Sequence, residues 1–183
     1  MIIGVTGKSG SGKSTYANKI AESYNAVVVH VDEIGHKVLE RNDIIEQVVE
    51  AFGVECIDSN GKVKRKCVGD LIFSNRHYYE KLTSIVWSEI KKEIDIIIKN
   101  NDNVILDWLL LPHTHYWQLC DKKLLVVAES DVIRKQKVME RDNISKEYLE
   151  ARDSAGINYD NFIVDETIVN NYNNKYKGDY TTC

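Results

Sequence analysis

The residues best suited to chemistry lie near the start of the chain, in a glycine-rich stretch from Gly7 to Thr15. Four of them occupy the fixed positions of the pattern G-x-x-x-x-G-K-[ST]: Gly7, Gly12, Lys13 and Ser14. Glycines let such a loop turn its backbone N–H groups toward an anion, because no Cβ stands in the way. The lysine supplies positive charge for phosphates, and the serine hydroxyl is a ligand for Mg²⁺. The spacing therefore predicts a site for the polyphosphate of a nucleoside triphosphate.

The segments on either side of this loop have the structure that the motif requires. Residues 1–6 are apolar and β-branched, as in a buried strand, and residues 16–21 have the composition of a helix. A helix that starts at the loop adds unpaired N–H groups and the positive end of its dipole. The alternative, a glycine-rich turn that carries a lysine by chance, would not account for a strand before the loop and a helix after it. We therefore assign triphosphate binding to the whole loop: Gly7, Lys8, Ser9, Gly10, Ser11, Gly12, Lys13, Ser14 and Thr15.

Two acidic residues follow predicted strands. Residues 26–31 form a continuous β-branched run that ends at Asp32, and residues 104–106 form another that ends at Asp107. In open α/β sheets, ligands collect beyond the carboxyl ends of the strands, so both acids are candidates for the site. The position of Asp107 is typical of an aspartate that supports Mg²⁺ in phosphate-loop enzymes. The alternative for each acid is a helix cap, a position that Asp also favours.

The remaining pattern alternates helices and strands. Helical periodicity is present at residues 43–52, 65–74 and 77–100, and further strands are predicted at 123–128 and 163–169. Four or five strands that alternate with helices imply right-handed crossovers and a parallel sheet. We therefore predict an α/β protein with a three-layer phosphate-loop kinase fold, a parallel sheet of about five strands and a helical lid.

The predicted lid is a basic helical hairpin at about residues 130–155. Ser130 and Ser145 can each cap a helix, and Arg141 lies among the basic residues of the first one. Basic side chains beside a phosphate loop can close over a triphosphate, although a solvated basic face would have the same composition.

We expect one kinase domain at residues 1–171. Besides the lid it contains an acceptor-side helical region at about residues 33–100. A polar tail follows at residues 172–183.

Composition excludes several classes of protein. With a net charge of −4 and a pI of about 5.8, the chain has no basic excess for nucleic acid or for an anionic membrane. No apolar run reaches transmembrane length, and Met1 leads straight into the first strand without a signal peptide. The four cysteines lack C-x-x-C spacing, so we expect reduced thiols in a cytoplasmic protein: Cys56, Cys67, Cys120 and Cys183. We expect a monomer that acts on a small, nucleotide-like molecule.

Taken in order, the motifs resemble those of the dephospho-coenzyme A kinase family, from Ile3 to about Asn171. Residues 4–15 resemble the opening strand and loop of that family, and residues 30–34 resemble its D-x-D-x-[IV], with Asp32 on the second acid. Residues 60–73 resemble its G-x-[IL]-x-R…[IV]-F segment, and residues 141–145 resemble its lid motif R-D/N-x-x-[ST]. Residues 164–171 resemble its A-D-x-V-I-x-N strand more loosely.

The resemblance implies transfer of the γ-phosphoryl of ATP to the ribose 3′-hydroxyl of dephospho-CoA, the last step of coenzyme A biosynthesis, with Mg²⁺. It implies that Asp32 accepts or orients the hydroxyl proton, that Arg65 holds the acceptor, and that Arg141 neutralises the transferring phosphoryl from the lid. Lys13 and the loop amides would hold ATP, and Ser14 would ligate Mg²⁺.

The chain departs from the family pattern mainly on the acceptor side. His30 stands at the first acid of D-x-D, and Val86-Trp87 stands where the long helix of the family has H-P. Residues 107–112 do not carry the proline and the acid at the positions where the third-strand motif of the family has them. These differences leave a (deoxy)nucleoside monophosphate open as the acceptor.

Two alternatives belong to other classes, a GTPase-type switch and a non-catalytic nucleotide-binding protein. Residues 32–35 fit D-x-x-G, and Asn174-Lys175 could begin N-K-x-D. Position 177 is Lys, however, so the acid that would recognise guanine is absent.

Overall fold

The computed structural model describes residues 1–154, 156–172 and 176–177, apart from the side chains of residues 65, 73, 176 and 177. The chain divides into two compact units. One consists of Met1–His30 and Ile98–Cys183, and the other of Val31–Ile97.

The first unit is built around a β-sheet, which has six strands within the described residues: β1 (Ile2–Thr6), β2 (Val27–His30), β3 (Val104–Asp107), β4 (Lys122–Ala128), β5 (Glu166–Asn170) and β6 (Tyr176–Lys177). Their order is β2-β3-β1-β4-β5-β6. The first five strands are parallel, as predicted, and β6 pairs antiparallel with β5. The central strands are short, apolar and buried, as parallel strands covered by helices must be.

The described residues contain eight α-helices, numbered in chain order: α1 (Lys13–Ala21), α2 (Val31–Val38), α3 (Asn42–Phe52), α4 (Arg65–Ser74), α5 (Arg76–Asn100), α6 (Tyr116–Leu119), α7 (Asp131–Asp142) and α8 (Lys146–Ser154). The helices predicted at 43–52, 65–74 and 77–100 are thus confirmed to within one residue. Ser130 caps α7 by accepting a hydrogen bond from the N–H of Ile133, and the hydroxyl of Ser145 accepts one from Tyr148 at the start of α8.

The two faces of β1 explain the three layers. Alternate side chains of a strand point to opposite faces, and those of Ile3 and Val5 join α1 in one apolar cluster. Gly4 points to the other face, where an added Cβ would lie 2.8 Å from the sulfur of Cys120 and 3.2 Å from the ring of Trp117. Helices therefore cover both faces, and the close approach on the α6 side requires glycine. Burial there raises the pKa of the Cys120 thiol to about 12.

The second unit is helical. Its buried apolar side chains recur at helical spacing, most clearly on α3 and α5: Ile44, Val48, Phe52, Ile90 and Ile94. Gly53 is the C-cap of α3, with a φ of 90° that glycine adopts without strain. Arg41 donates hydrogen bonds to Asp43 and to Glu89, so an ion pair connects the start of α3 to α5.

The structure contains a disulfide between Cys56 and Cys67, so the prediction that all four cysteines are reduced thiols is wrong for this pair. A tight turn brings the two residues together. Ile57 pairs with Val63 across this turn, and the N–H of Lys64 donates to the carbonyl of Cys56 at 2.8 Å. The Cα atoms of the two cysteines are then 5.4 Å apart, a usual separation for a disulfide. A spacing of 11 residues matches no sequence motif, which is why the sequence did not reveal the bond.

Of the other two cysteines, Cys120 is buried and reduced, and Cys183 lies outside the described residues. The last parallel strand also differs from its prediction. It begins at Glu166 and not at residue 163, because pairing with β4 starts at Leu124 opposite Glu166 and leaves Ile163 exposed. The polar tail predicted at 172–183 lies largely outside the described residues, although Tyr176–Lys177 extends the sheet.

The disulfide has a direct chemical test. In denaturant without reductant, two of the four cysteines should react with a thiol reagent, and all four should react after the disulfide has been reduced. Because the bond closes a loop of 11 residues, Cys67→Ser should lower the free energy of unfolding by about 2–3 kcal/mol in a denaturant titration without reductant. The variant and the wild type should be equally stable when both are reduced. Four reactive thiols in oxidised wild-type protein would contradict the assignment.

Candidate active site

The predicted phosphate loop connects β1 to α1. Gly7, Gly10 and Gly12 have φ angles of 148°, 77° and 92°, which L-residues rarely adopt. A Cβ on Gly7 would also lie 2.2 Å from the carbonyl oxygen of Val126 on β4. The helix starts at Lys13 immediately after the last of these glycines. The glycine pattern is therefore a requirement of the backbone path, and it places the N-terminus of α1 at the loop.

Three successive carbonyl groups of the loop accept hydrogen bonds from side chains that are distant in sequence. Arg134 on α7 donates from Nη1 to the carbonyl of Ser9 at 3.0 Å. The hydroxyl of Tyr172, which follows β5, donates to that of Gly10 at 2.8 Å. Asn170, at the end of β5, donates from Nδ2 to that of Ser11 at 2.9 Å. These bonds use carbonyl acceptors of the loop and none of the amide donors that a phosphate needs. None of these three donors was predicted from the sequence to be a site residue. Only Asn170 had a signal, as the asparagine of the loosely matched A-D-x-V-I-x-N segment.

One face of α7 lies along the loop. Residues 134, 138 and 141 share a face because they are spaced by about one and two helical turns. Besides its contact with Ser9, this face brings Val138 so near that a Cβ on Gly10 would be 2.4 Å from its methyl group. At the end of the helix, Arg141 Nη2 donates to the hydroxyl of Ser9 at 3.2 Å. The predicted lid residue Arg141 is therefore beside the loop.

The two arginines on this face differ in environment. Arg134 is buried, and its guanidinium pairs with Asp131 and Asp153, so its charge is neutralised within the α7–α8 hairpin. The side chain of Arg141 is 60% exposed. It donates to Asp142 and thereby lowers the pKa of that carboxyl group, to which Arg152 also donates. Arg134 is thus suited to hold the structure, whereas Arg141 can reach a ligand.

A cavity of about 290 Å³ lies against the loop and the start of α1. Its lining brings together the predicted lid residue Arg141 and five residues of the predicted triphosphate site: Gly10, Gly12, Lys13, Ser14 and Thr15. Lys137, Asn170 and Tyr172 complete the lining with Val138. A second cavity of about 450 Å³ is lined by Lys8 and Ser11 from the loop. Seven of the nine predicted loop residues therefore line one of these two cavities, and Gly7 and Ser9 line neither.

The end of β3 carries Asp107, which is buried and pairs with a neighbouring strand. Its Oδ2 is 2.7 Å from Nδ1 of His30, the opposite residue on β2. His30 Nε2 in turn lies 3.2 Å from Oδ1 of Asn18 on α1. The other oxygen, Asp107 Oδ1, is buried and has no hydrogen-bond partner among the described residues. Val5 lies opposite Asp107 on β1, so this carboxylate is at the sheet edge from which the loop departs.

A carboxylate oxygen without a hydrogen-bond partner is the kind of protein ligand that Mg²⁺ uses. The described residues contain no group of three or more His, Cys, Asp or Glu side chains that could form a protein-only metal site. Mg²⁺ seldom needs one, since it is bound by one or two carboxylates together with phosphate oxygens and water. The free oxygen of Asp107 and the hydroxyl of Ser14 are the groups that suit such a site.

Two predicted site residues belong to the second unit. Asp32 is exposed and is the second residue of α2, so it lies in the first turn of a helix. Arg65 is the first residue of α4, and its side chain is outside the described part of the chain. Their roles toward the acceptor stay predictions.

The chain is similar in sequence to proteins of one family. A family model described as dephospho-CoA kinase matches residues 1–176. A dephospho-CoA kinase from Fusobacterium nucleatum is 32% identical over 157 residues, which cover 82% of this chain and 78% of that protein. The dephospho-CoA kinase of Staphylococcus epidermidis is 34% identical over 165 residues, which cover 87% of this chain and 80% of that protein.

Solved structures agree on the fold. The crystal structure of TT1252 from Thermus thermophilus superposes with a TM-score of 0.75 at 25% identity and covers 93% of this chain and 88% of that one. A dephospho-CoA kinase from Campylobacter jejuni has a TM-score of 0.58 at 24% identity, over 93% and 89% of the two chains, and supports the fold alone. Among the described residues, no helix combines the length and the apolar composition needed to cross a membrane. With a family match along nearly its whole length, the chain belongs to the dephospho-CoA kinase family.

Proposed function

We propose that this protein transfers the γ-phosphoryl of ATP to the ribose 3′-hydroxyl of dephospho-CoA, the last step of coenzyme A biosynthesis. One observation carries the proposal: in a chain of this family, Lys13, Ser14 and Arg141 line a single cavity at the N-terminus of α1. Phosphoryl transfer needs positioning and charge neutralisation more than covalent chemistry. A loop of amides, a helix N-terminus and two cations supply both.

On the ATP side, the proposed roles follow from charge. The Lys13 ammonium binds the β- and γ-phosphoryl oxygens, and the N-terminus of α1 adds its partial positive charge. Arg141 neutralises charge on the transferring group, for which its exposed guanidinium beside Ser9 is well placed. The predicted closure of the α7–α8 hairpin as a lid would bring that charge to contact distance.

Ser14 and Asp107 are the proposed protein groups for Mg²⁺. When bound, the ion would neutralise charge on the β- and γ-phosphoryl oxygens. His30 contributes by engaging one oxygen of Asp107, which orients the carboxylate and leaves the other oxygen available. This contact also explains how the chain tolerates histidine at the first acid of D-x-D, since the histidine finds an anionic partner on the next strand.

On the acceptor side, we propose Asp32 as the group that orients or accepts the 3′-hydroxyl proton and Arg65 as the contact for an acceptor phosphate. Asp32 lies in the first turn of α2, and a carboxylate is a group that can accept or orient a hydroxyl proton. Arginine binds phosphate through two parallel N–H···O bonds, which fixes the acceptor in orientation as well as in place.

We further propose that the enzyme is a monomer in the cytoplasm. Disulfides are rare in that compartment, so this proposal entails that Cys56 and Cys67 are reduced there. A molar mass of two chains by light scattering would contradict the monomer.

Lys13→Ala should abolish turnover, because the γ-phosphoryl loses its main cationic contact in a reaction that electrostatic stabilisation dominates. Steady-state kinetics with ATP and dephospho-CoA measure the effect. Lys19→Ala is the matched control, since it removes an exposed lysine from the last turn of the same helix. Near-wild-type turnover in the Lys13 variant would refute the ATP site.

Asp32→Asn should lower kcat by roughly 100-fold or more with little change in ATP affinity, because an amide cannot accept the hydroxyl proton. The neighbouring exposed acid provides the control, Glu33→Gln, which should keep most of its activity. If ATP binding is lost instead, as measured by titration, Asp32 serves the metal or the fold.

Arg65→Ala should raise the KM for dephospho-CoA by roughly ten- to a hundredfold and leave the KM for ATP nearly unchanged, as expected for a charge-assisted contact to the acceptor. Arg65→Lys should recover only part of the loss because lysine lacks the planar fork. Lys66→Ala, at the next and exposed position, is the control. An enzyme that ignores dephospho-CoA and phosphorylates AMP, GMP, dCMP or dTMP would reject the acceptor while leaving the kinase assignment intact.

A further inference from the structure

We propose that Tyr172 is a positioning residue for the phosphate loop and that, with Asn170, it sets the affinity of this chain for ATP. The inference rests on the proposed ATP site and goes beyond the residues assigned to it so far. Neither residue belongs to the loop or to the lid. Asn170 is the last residue of β5 and Tyr172 follows it. One strand, β4, separates β5 from β1, the strand that leads into the loop.

The backbone of Tyr172 is the first observation. Its φ is 62°, in the left-handed region that non-glycine residues seldom occupy and that costs energy for a side chain with a Cβ. Such a conformation persists only where the surroundings impose it, and these outliers concentrate at functional sites. Here the N–H of Tyr172 donates to Oδ1 of Asn170 at 2.9 Å, which accounts for how the conformation is held.

Asn170 couples this turn to the loop. Its side chain is almost completely buried and uses both ends of its amide: Oδ1 accepts from Tyr172, and Nδ2 donates to the carbonyl of Ser11. A buried amide with both ends satisfied has one orientation, because a flipped group would leave a donor facing a donor. Asn170 therefore fixes the distance between the loop and the Tyr172 turn.

The side chain of Tyr172 contacts the loop at a glycine, Gly10. Its hydroxyl donates to the carbonyl of Gly10 at 2.8 Å, and Gly10 itself has a positive φ. Glycine has the widest conformational freedom of any residue, so a loop of this composition loses most entropy when it is ordered. A hydrogen bond that orders Gly10 before ATP arrives reduces the loss that binding must overcome.

The tyrosine ring also faces the ligand cavity. Tyr172 lines the cavity of about 290 Å³ together with Lys13, Ser14 and Lys137. The ammonium of Lys137 lies over the ring at 5.4 Å from its centroid, a cation–π contact that keeps the ring in place. One side chain thus holds the loop by its hydroxyl and forms part of the cavity wall by its ring.

The decisive variant is Tyr172→Phe, which removes the hydroxyl and retains the ring. The readout is binding of a non-hydrolysable ATP analogue with Mg²⁺, measured by calorimetry without acceptor, so a wrong acceptor assignment cannot affect it. We expect the Kd to rise about three- to tenfold, the range for one hydrogen bond of this kind. At saturating ATP, kcat should stay within about twofold, as expected when ground-state and transition-state binding weaken equally.

Tyr24→Phe is the matched control. It also removes a phenol hydroxyl that takes part in a hydrogen bond within the same unit, with Lys122 on β4. Tyr24 lines neither of the two cavities beside the loop, so this variant should leave the Kd unchanged. Tyr172→Gly removes the whole side chain and at the same time relieves the backbone, because glycine adopts a positive φ freely. It should lose at least as much affinity as Tyr172→Phe, because the relief of strain does not replace the hydrogen bond to Gly10.

Hydrogen exchange separates positioning from general stability. In the free Tyr172→Phe protein, the amides of residues 8–12 should exchange faster than in the wild type, and the bound ATP analogue should remove the difference. Amides of α1 and β4 should not change. An unchanged Kd in Tyr172→Phe, an equal loss in Tyr24→Phe, or full affinity in Tyr172→Gly would each overturn the proposal.

Discussion

The fold depends on one constraint, the need of the phosphate loop for partners on its carbonyl side. A backbone that turns its amides toward an anion turns carbonyl groups toward the protein, and buried carbonyls must be hydrogen-bonded. Three side chains meet this need at Ser9, Gly10 and Ser11. They come from α7 and from the end of β5, so elements far along the chain hold the backbone conformation of the loop through these hydrogen bonds.

The same constraint explains how two arginines seven residues apart can differ in function. Arg134 inserts into the structure to reach a carbonyl, and burial of its charge requires two carboxylates, which α7 and α8 supply. Arg141 emerges where the helix ends and shares its charge with Asp142 at the surface. The ion pairs of Arg134 thus join α7 to α8, and the exposed guanidinium of Arg141 can contact a ligand.

Family membership narrows the choice among the hypotheses that the sequence left open. A match over residues 1–176 favours dephospho-CoA over a nucleoside monophosphate and favours an enzyme over a switch or a passive binding protein. The departures on the acceptor side acquire a partial explanation. His30 replaces an acid of the family motif but contacts Asp107 Oδ2 at 2.7 Å, so the carboxyl group at this edge of the sheet is held in one orientation. The replacement of H-P by Val86-Trp87 has no structural account here.

The sequence by itself determined what depends on local order. The glycine pattern of the loop, the short β-branched strands, the helix caps at Ser130 and Ser145 and the C-cap at Gly53 are properties of neighbouring residues, and all were predictable. The resemblance of ordered motifs likewise identified the family. These features require only that a residue type suit its own backbone conformation or that of the next turn.

Only the tertiary structure decided the rest, because it depends on contacts across the chain. Asn170 and Tyr172 lie about 160 residues from the loop that they hold, with separations of 159 and 162, and no local pattern encodes such a contact. The turn that joins Cys56 to Cys67, the pairing of His30 with Asp107 on adjacent strands and the burial of Arg134 have the same origin. Strand order and helix packing bring these groups together, and a hydrogen bond or an ion pair forms only once the two partners have been placed within reach.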